Sequence, residues 1–183
     1  MEKLNKQRGL RNCNPLNIRR TADLWQGLAE RQPDPEFFTF RSMPWGYRAA
    51  FIVLRTYCHK YGLRTVRDIV ARWAPPEDGN DTENYVRKVC VLTGFPPDKC
   101  LNPYDPSHMA PLVAAMSRVE CGVKPIMSQI KEGWSLYMGD GLTLSNLTFK
   151  TSMPMNKTVW NTLLNVIIAV ASAILGAIGG SAM

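Results

Sequence analysis

Few side chains in this sequence are of a type that does acid, base or nucleophilic chemistry, and the carboxylates stand out among them. Glu120 lies in Val119-Glu120-Cys121-Gly122, Glu77 and Asp78 follow Pro75-Pro76, and Asp34 and Glu36 flank Pro35. A carboxyl works as a general acid only if it keeps its proton near neutral pH, which takes burial or a neighbouring negative pole. Glu120 has access to both, because it closes an apolar helical pattern at the negative end of that helix. The alternative is a solvated last-turn residue before a glycine stop. Glu77 and Asp78 read as a polar loop, and Asp34 and Glu36 as a solvated loop or as the source of a second carboxylate. His59 and His108 lie on different elements with no motif between them, which points to surface or core roles.

The five cysteines, Cys13, Cys58, Cys90, Cys100 and Cys121, are odd in number and contain no C-x-x-C pair, so neither a zinc site nor a disulfide framework is expected. No metal or organic cofactor is implied. Three of the cysteines fall on apolar helical patterns, where a free thiol behaves as a small hydrophobe in a reducing compartment. Lys3, Lys6, Arg8, Arg11, Arg19 and Arg20 form a basic arm, and 21 of the 22 basic and all 15 acidic residues precede Met155. That positive body favours an anionic partner: nucleic acid, acidic lipid or an anionic cell-wall polymer. No helix-turn-helix or zinc signature supports nucleic acid.

The elements that must position these residues are mostly helical. From Arg8 to about Arg41 the chain is rich in Asn, Pro, Arg and Gly and shows no helical period, so it reads as loops with one short strand at 36–41. Beyond Trp45-Gly46 the apolar residues Tyr47, Ala50, Phe51, Leu54, Tyr57 and Cys58 recur at three and four up to Gly62. A second helix runs from Thr65 to the stop at Ala74-Pro75-Pro76, and a third from Thr82 to Thr93 before Gly94. The fourth has Asp105 as N-cap and Pro106 at its first position, buries Met109, Leu112, Val113, Met116 and Val119, and ends at Gly122. A fifth opens near Pro125 and carries Ile126, Ile130, Trp134 and Tyr137. Trp73, Tyr47 and Phe51 fit core spacing and are expected only to pack.

The stretch 139–154 reads as a linker and 155–183 as a hydrophobic tail. Residues 159–178 carry no charge over a length of about 20, enough to span a bilayer core of about 30 Å. Lys157 at its amino end predicts a cytoplasmic body with a C-terminal membrane anchor, and Gly176 and Gly180 with Ser172 would permit tail-mediated self-association. The polar amino terminus is no signal-peptide core. The tail, from Met155, resembles the small hydrophobic "smalltalk" peptides, a resemblance that implies a location and no chemistry.

Arg8-Gly9-Leu10-Arg11-Asn12-Cys13-Asn14-Pro15-Leu16-Asn17-Ile18-Arg19 resembles the opening motif R-G-[IL]-R-N-N-N-P-x-N-I-R of phage-related proteins labelled structural protein P5 or lysozyme-like. Trp25-x-Gly27, Phe37 to Phe40, Trp45-Gly46-Tyr47-Arg48-Ala49, Arg72-Trp73-Ala74-Pro75-Pro76 and Tyr85-Val86 follow in the family's order, covering about residues 8–122. Cys13 departs from the family's asparagine. The Asn-Pro-x-Asn and Trp-x-Gly signals are also similar to the segment that follows the catalytic glutamate in wall-cutting glucosaminidases and transglycosylases, and Val119-Glu120-Cys121-Gly122 resembles the close of their catalytic helix.

Together these resemblances imply a mainly α, lysozyme-like α+β fold over residues 1–138, circularly permuted, with a small irregular or β lobe and a C-terminal hydrophobic helix. The implied protein is a phage-type peptidoglycan glycan-strand hydrolase or lytic transglycosylase of bacterial, phage or prophage origin. Glu120 would be its acid, and Asn14, Asn17 and Trp25 its contacts to an amino-sugar. The alternative is a non-catalytic virion-associated or cell-wall-binding protein of the same fold.

Overall fold

The computed structural model describes residues 8–139. They belong to the first of the two units into which the chain divides, Met1–Leu142 and Thr143–Met183. The linker at 140–154, the hydrophobic tail at 155–183 with its expected anchor at 159–178, and Lys3 and Lys6 of the basic arm lie outside the described residues.

Beyond a helical turn at 8–11, the described residues form α1 (Met43–Lys60), α2 (Val66–Trp73), α3 (Thr82–Thr93), α4 (Pro106–Cys121) and α5 (Met127–Gly139). Their ends are set by local chemistry. The Thr65 side chain accepts the Asp68 amide and Asp68 returns the bond, a capping box that starts α2. Asp81 caps α3 and Asp105 caps α4, while Gly94 and Gly122 end the same two helices in the left-handed conformation. A 3-10 turn at Pro76–Asp78 carries the chain from α2 towards α3.

The central helix is α1, which is buried on two sides. Tyr47, Ala50, Phe51, Leu54 and Cys58 enter the main core with Ile69, Val89, Met109, Met116 and Ile130. Ala49, with Trp45 and Val53, meets a second cluster built on Ile18, Phe38 and Phe40 of the N-terminal lobe. Close approach is needed on both sides. A Cβ on Gly133 of α5 would lie 2.6 Å from Tyr47 Cβ, and one on Gly46 would lie 2.0 Å from the Cys13 carbonyl oxygen. The lobe's first turn therefore rests directly on the α1 backbone.

The lobe is held by side chains more than by a sheet. A helical turn at 8–11 leads into the Asn-Pro segment, where the fully buried Asn14 donates to the carbonyls of Ile18 (3.0 Å) and Phe38 (2.9 Å) and accepts the Ile18 amide (2.9 Å). Asn12 donates to Asp34 at 2.8 Å, and Asp34 also receives Arg8 at 2.7 Å. Cys13 and Asn17 take positive φ values of 47° and 51°. Asparagine tolerates this region far better than cysteine, so the backbone at Cys13 is the more strained of the two.

The strand expected at 36–41 is not formed. Only isolated bridges occur there, Arg19 to Phe37 and Leu28 to Phe40. Side chains take ladder positions instead: the Asp34 carboxylate accepts the amides of Glu36 and Phe37, and Gln32 clasps the amide and carbonyl of Thr39. Among the described residues the fold is mainly helical with almost no extended pairing. No helix among them is long and apolar enough to cross a membrane. α5 begins at Met127, two residues after the expected start at Pro125.

Gly46→Ala should cost about 3 kcal/mol or more in urea unfolding, because the clashing atom is a backbone carbonyl that cannot step aside. A loss below about 1 kcal/mol would show that the lobe is not seated on α1 in this way.

Candidate active site

Glu120 sits in the last turn of α4, mostly buried, with each carboxylate oxygen engaged. Asn17 Nδ2 donates to Oε2 at 3.0 Å, and the Tyr85 hydroxyl donates to Oε1 at 2.9 Å. The Trp73 side chain adds a further hydrogen bond. These donors arrive from the lobe, α3 and α2, so the carboxyl is the meeting point of four parts of the chain. Asn17 reaches it because its left-handed backbone turns the side chain away from the Asn14-centred loop.

Two opposing effects set the acidity of Glu120. Burial raises its pKa, the three hydrogen bonds lower it, and burial prevails, so the group holds its proton above the ordinary glutamate value of 4.5. The Tyr85 hydroxyl is pushed well above 10 by burial and by the Glu120 carboxylate, and it therefore stays a donor. The neighbouring Cys121 thiol is pushed up to about 11, chiefly by burial, and donates to the Pro15 carbonyl at 3.3 Å. It latches the lobe to α4 and is no nucleophile at neutral pH.

Glu120 lines an open cleft of about 490 Å³ together with Asn17, Trp73 and Tyr85. Arg8, Arg19, Glu36, Asp78 and Asn80 add polar groups to its lining, and Leu16, Phe37, Ala74 and Val119 add apolar ones. The Arg8 and Arg19 guanidinium groups lie 4.6 and 5.6 Å from the centre of the Phe37 ring. Glu36 is bound by Arg8 at 2.8 Å, and Asp78 comes from the 3-10 turn.

The residues singled out in the sequence are divided between cleft and scaffold. Asn17 and Glu120, 103 positions apart, are brought together. Asn14 is 0% exposed, its amide is spent inside the lobe, and it does not line the cleft, so it offers nothing to a sugar. Trp25 lines a neighbouring cavity of about 300 Å³ that shares Asn17, Arg19 and Trp73 with the Glu120 cleft. Its indole N–H has no hydrogen-bond partner among the described residues, and its ring meets Phe38 edge-on.

Asp34 is 4% exposed and structural: burial pushes its pKa up, but hydrogen bonds from Asn12, Arg8 and two backbone amides outweigh this and hold it below the ordinary aspartate range. His59 and His108 line a separate cavity with Cys58 and Cys100, and no group of three or more candidate metal ligands occurs among the described residues. All five cysteines are free.

Trp73 is a site residue that the spacing assigned only to packing, and Tyr85 stood out only as part of the Tyr85-Val86 pair of the resemblance. The signal available for them was general: a buried tyrosine or tryptophan has a polar atom that needs a partner.

This mainly helical chain, with a lobe clamped over a mostly buried glutamate, has a relative among phage proteins. The chain is 44% identical over 136 residues to Protein P5 of Pseudoalteromonas phage PM2, a match covering 71% of this chain and 82% of the relative. The chain belongs to the phage Protein P5 family. Residues 155–183 match a separate family of unknown function, DUF6486.

Two outcomes follow from the geometry. Tyr85→Phe should destabilise the fold by about 1–2 kcal/mol, since Oε1 loses its donor inside the protein. Because the Glu120 pKa is raised on folding, the native state binds more protons than the unfolded chain as pH climbs from the ordinary glutamate value through the folded one. The wild type should therefore lose stability across that window relative to Glu120→Gln, as measured by urea unfolding at stepped pH. A difference that is flat with pH would contradict the assignment.

Proposed function

We propose that the protein cleaves glycan strands of peptidoglycan, as a hydrolase or lytic transglycosylase of lysozyme-like type, with Glu120 as the proton donor. One observation carries the reading: a mostly buried carboxyl with a raised pKa forms part of the wall of an open, polar cleft. Cleavage of a glycosidic bond needs an acid that can protonate the leaving oxygen, and the same group, once ionised, can take a proton from water or from a sugar hydroxyl. The Asn17 and Tyr85 hydrogen bonds would hold the carboxyl in place for both steps.

Glu36 and Asp78 are the carboxylates available for a second role, and Glu36 is already neutralised by Arg8. Asn17 and Asn80 offer amides to the hydroxyl and acetamido groups of an amino-sugar, and Trp25 offers a ring face in the adjoining cavity. The proposal includes a membrane association through residues 159–178.

A second reading is favoured by one feature. Both Glu120 oxygens are already satisfied within the protein, as befits a structural clasp in a non-catalytic virion-associated or wall-binding protein.

The full chain should clear a suspension of purified peptidoglycan, and Glu120→Gln should lower the rate by at least about a hundredfold, the usual weight of a general acid. Tyr85→Phe removes a donor that favours the ionised form, so it should move the alkaline limb of the pH profile upward. Co-sedimentation with peptidoglycan without clearing by any variant would support the second reading. Equal clearing by wild type and Glu120→Gln would place the acid elsewhere.

A further inference from the structure

Away from the cleft, Val91 and Leu92 on α3 and Val123, Ile126 and Met127 around the start of α5 are exposed, Val91 by 78% and Ile126 by 59%. The two groups meet at a groove of about 260 Å³ lined by Leu92, Pro111, Ala114, Arg118, Lys124 and Met127. No carboxylate and no neutral hydrogen-bonding side chain lines it.

Cations surround the apolar residues at regular spacing. Arg87 and Lys88 stand one helical turn before Val91 and Leu92, Lys131 one turn after Met127, and Lys124 between Val123 and Ile126. Arg118 and Ala114 lie about 160° and about 120° round α4 from Glu120, so an occupant of the groove leaves the cleft open.

We propose that this face docks on an anionic phospholipid surface, with Leu92, Ile126 and Met127 entering the headgroup region. Arg87, Lys88, Arg118, Lys124 and Lys131 would meet the lipid phosphates. Charge complementarity and lining chemistry select this occupant. The only polar side chains lining the groove are the cations Arg118 and Lys124, set among apolar ones, and apolar side chains flanked by cations are what an anionic lipid interface binds. The surface is distinct from the tail and does not depend on what the cleft cleaves.

Hydrogen exchange of the full chain, followed peptide by peptide, tests this without confusion from the tail. Vesicles of phosphatidylcholine mixed with phosphatidylglycerol should slow exchange at residues 122–127 several-fold, and vesicles of phosphatidylcholine alone should not. The double variant Lys88→Glu, Lys124→Glu should raise the lipid concentration needed for that slowing by at least about tenfold, with exchange in α1 unchanged. Equal protection on both vesicle types, or on neither, would overturn the proposal. Protection without lipid that grows with protein concentration would identify a second copy as the occupant. Protection without lipid at every dilution would identify a segment of the same chain, and either result overturns the lipid assignment.

Discussion

A carboxyl that leaves water must find donors, and in this protein the carboxyl of Glu120 finds them in three separate parts of the chain. Asn17 comes from the N-terminal lobe, Tyr85 from α3 and Trp73 from α2. The rest of the structure makes this meeting possible. Asn14 closes the turn that presents Asn17, Gly46 lets that turn rest on α1, and Gly122 ends α4 just beyond Glu120.

Two buried carboxyls in one small body show how environment separates roles. Asp34 has guanidinium partners, with Arg8 at 2.7 Å and Arg11 at 3.7 Å, and stays ionised as the strut of the lobe. Glu120 has only neutral donors, so burial prevails and favours the proton. Pairs of acids driven apart in this way are a recurrent means of assigning structure to one and chemistry to the other. Asp34 is spent on the fold. Glu120, at the cleft, ionises less readily than an ordinary glutamate.

Much of the helical body was legible in the sequence because its signals are local. The Thr82–Thr93 helix and its Gly94 stop, the Asp105-Pro106 start and the Gly122 end follow from capping chemistry and period alone. The lobe was legible as irregular, yet the expected strand at 36–41 is broken into isolated bridges because the nearby Asp34 and Gln32 side chains take several of its backbone amides, a local substitution that no alternation pattern records. For the site, the resemblance named Asn17 and Glu120 only as a sugar contact and an acid, and the hydrogen bond between these residues, 103 apart, is something no spacing records. Asn14 and Asn17 have the same side chain within one motif, and only the fold tells the buried hub from the cleft contact.

The central claim is that Glu120 is a carboxyl made reluctant to ionise at the wall of the cleft. Its most direct test is a carbon-detected NMR titration of the Glu120 side-chain carboxyl in the full chain, assigned by comparison with Glu120→Gln. The account predicts a midpoint above the ordinary glutamate value of 4.5. A midpoint at or below that value would mean that the donors outweigh burial, leaving Glu120 an ionised clasp between lobe and helices with no proton to give.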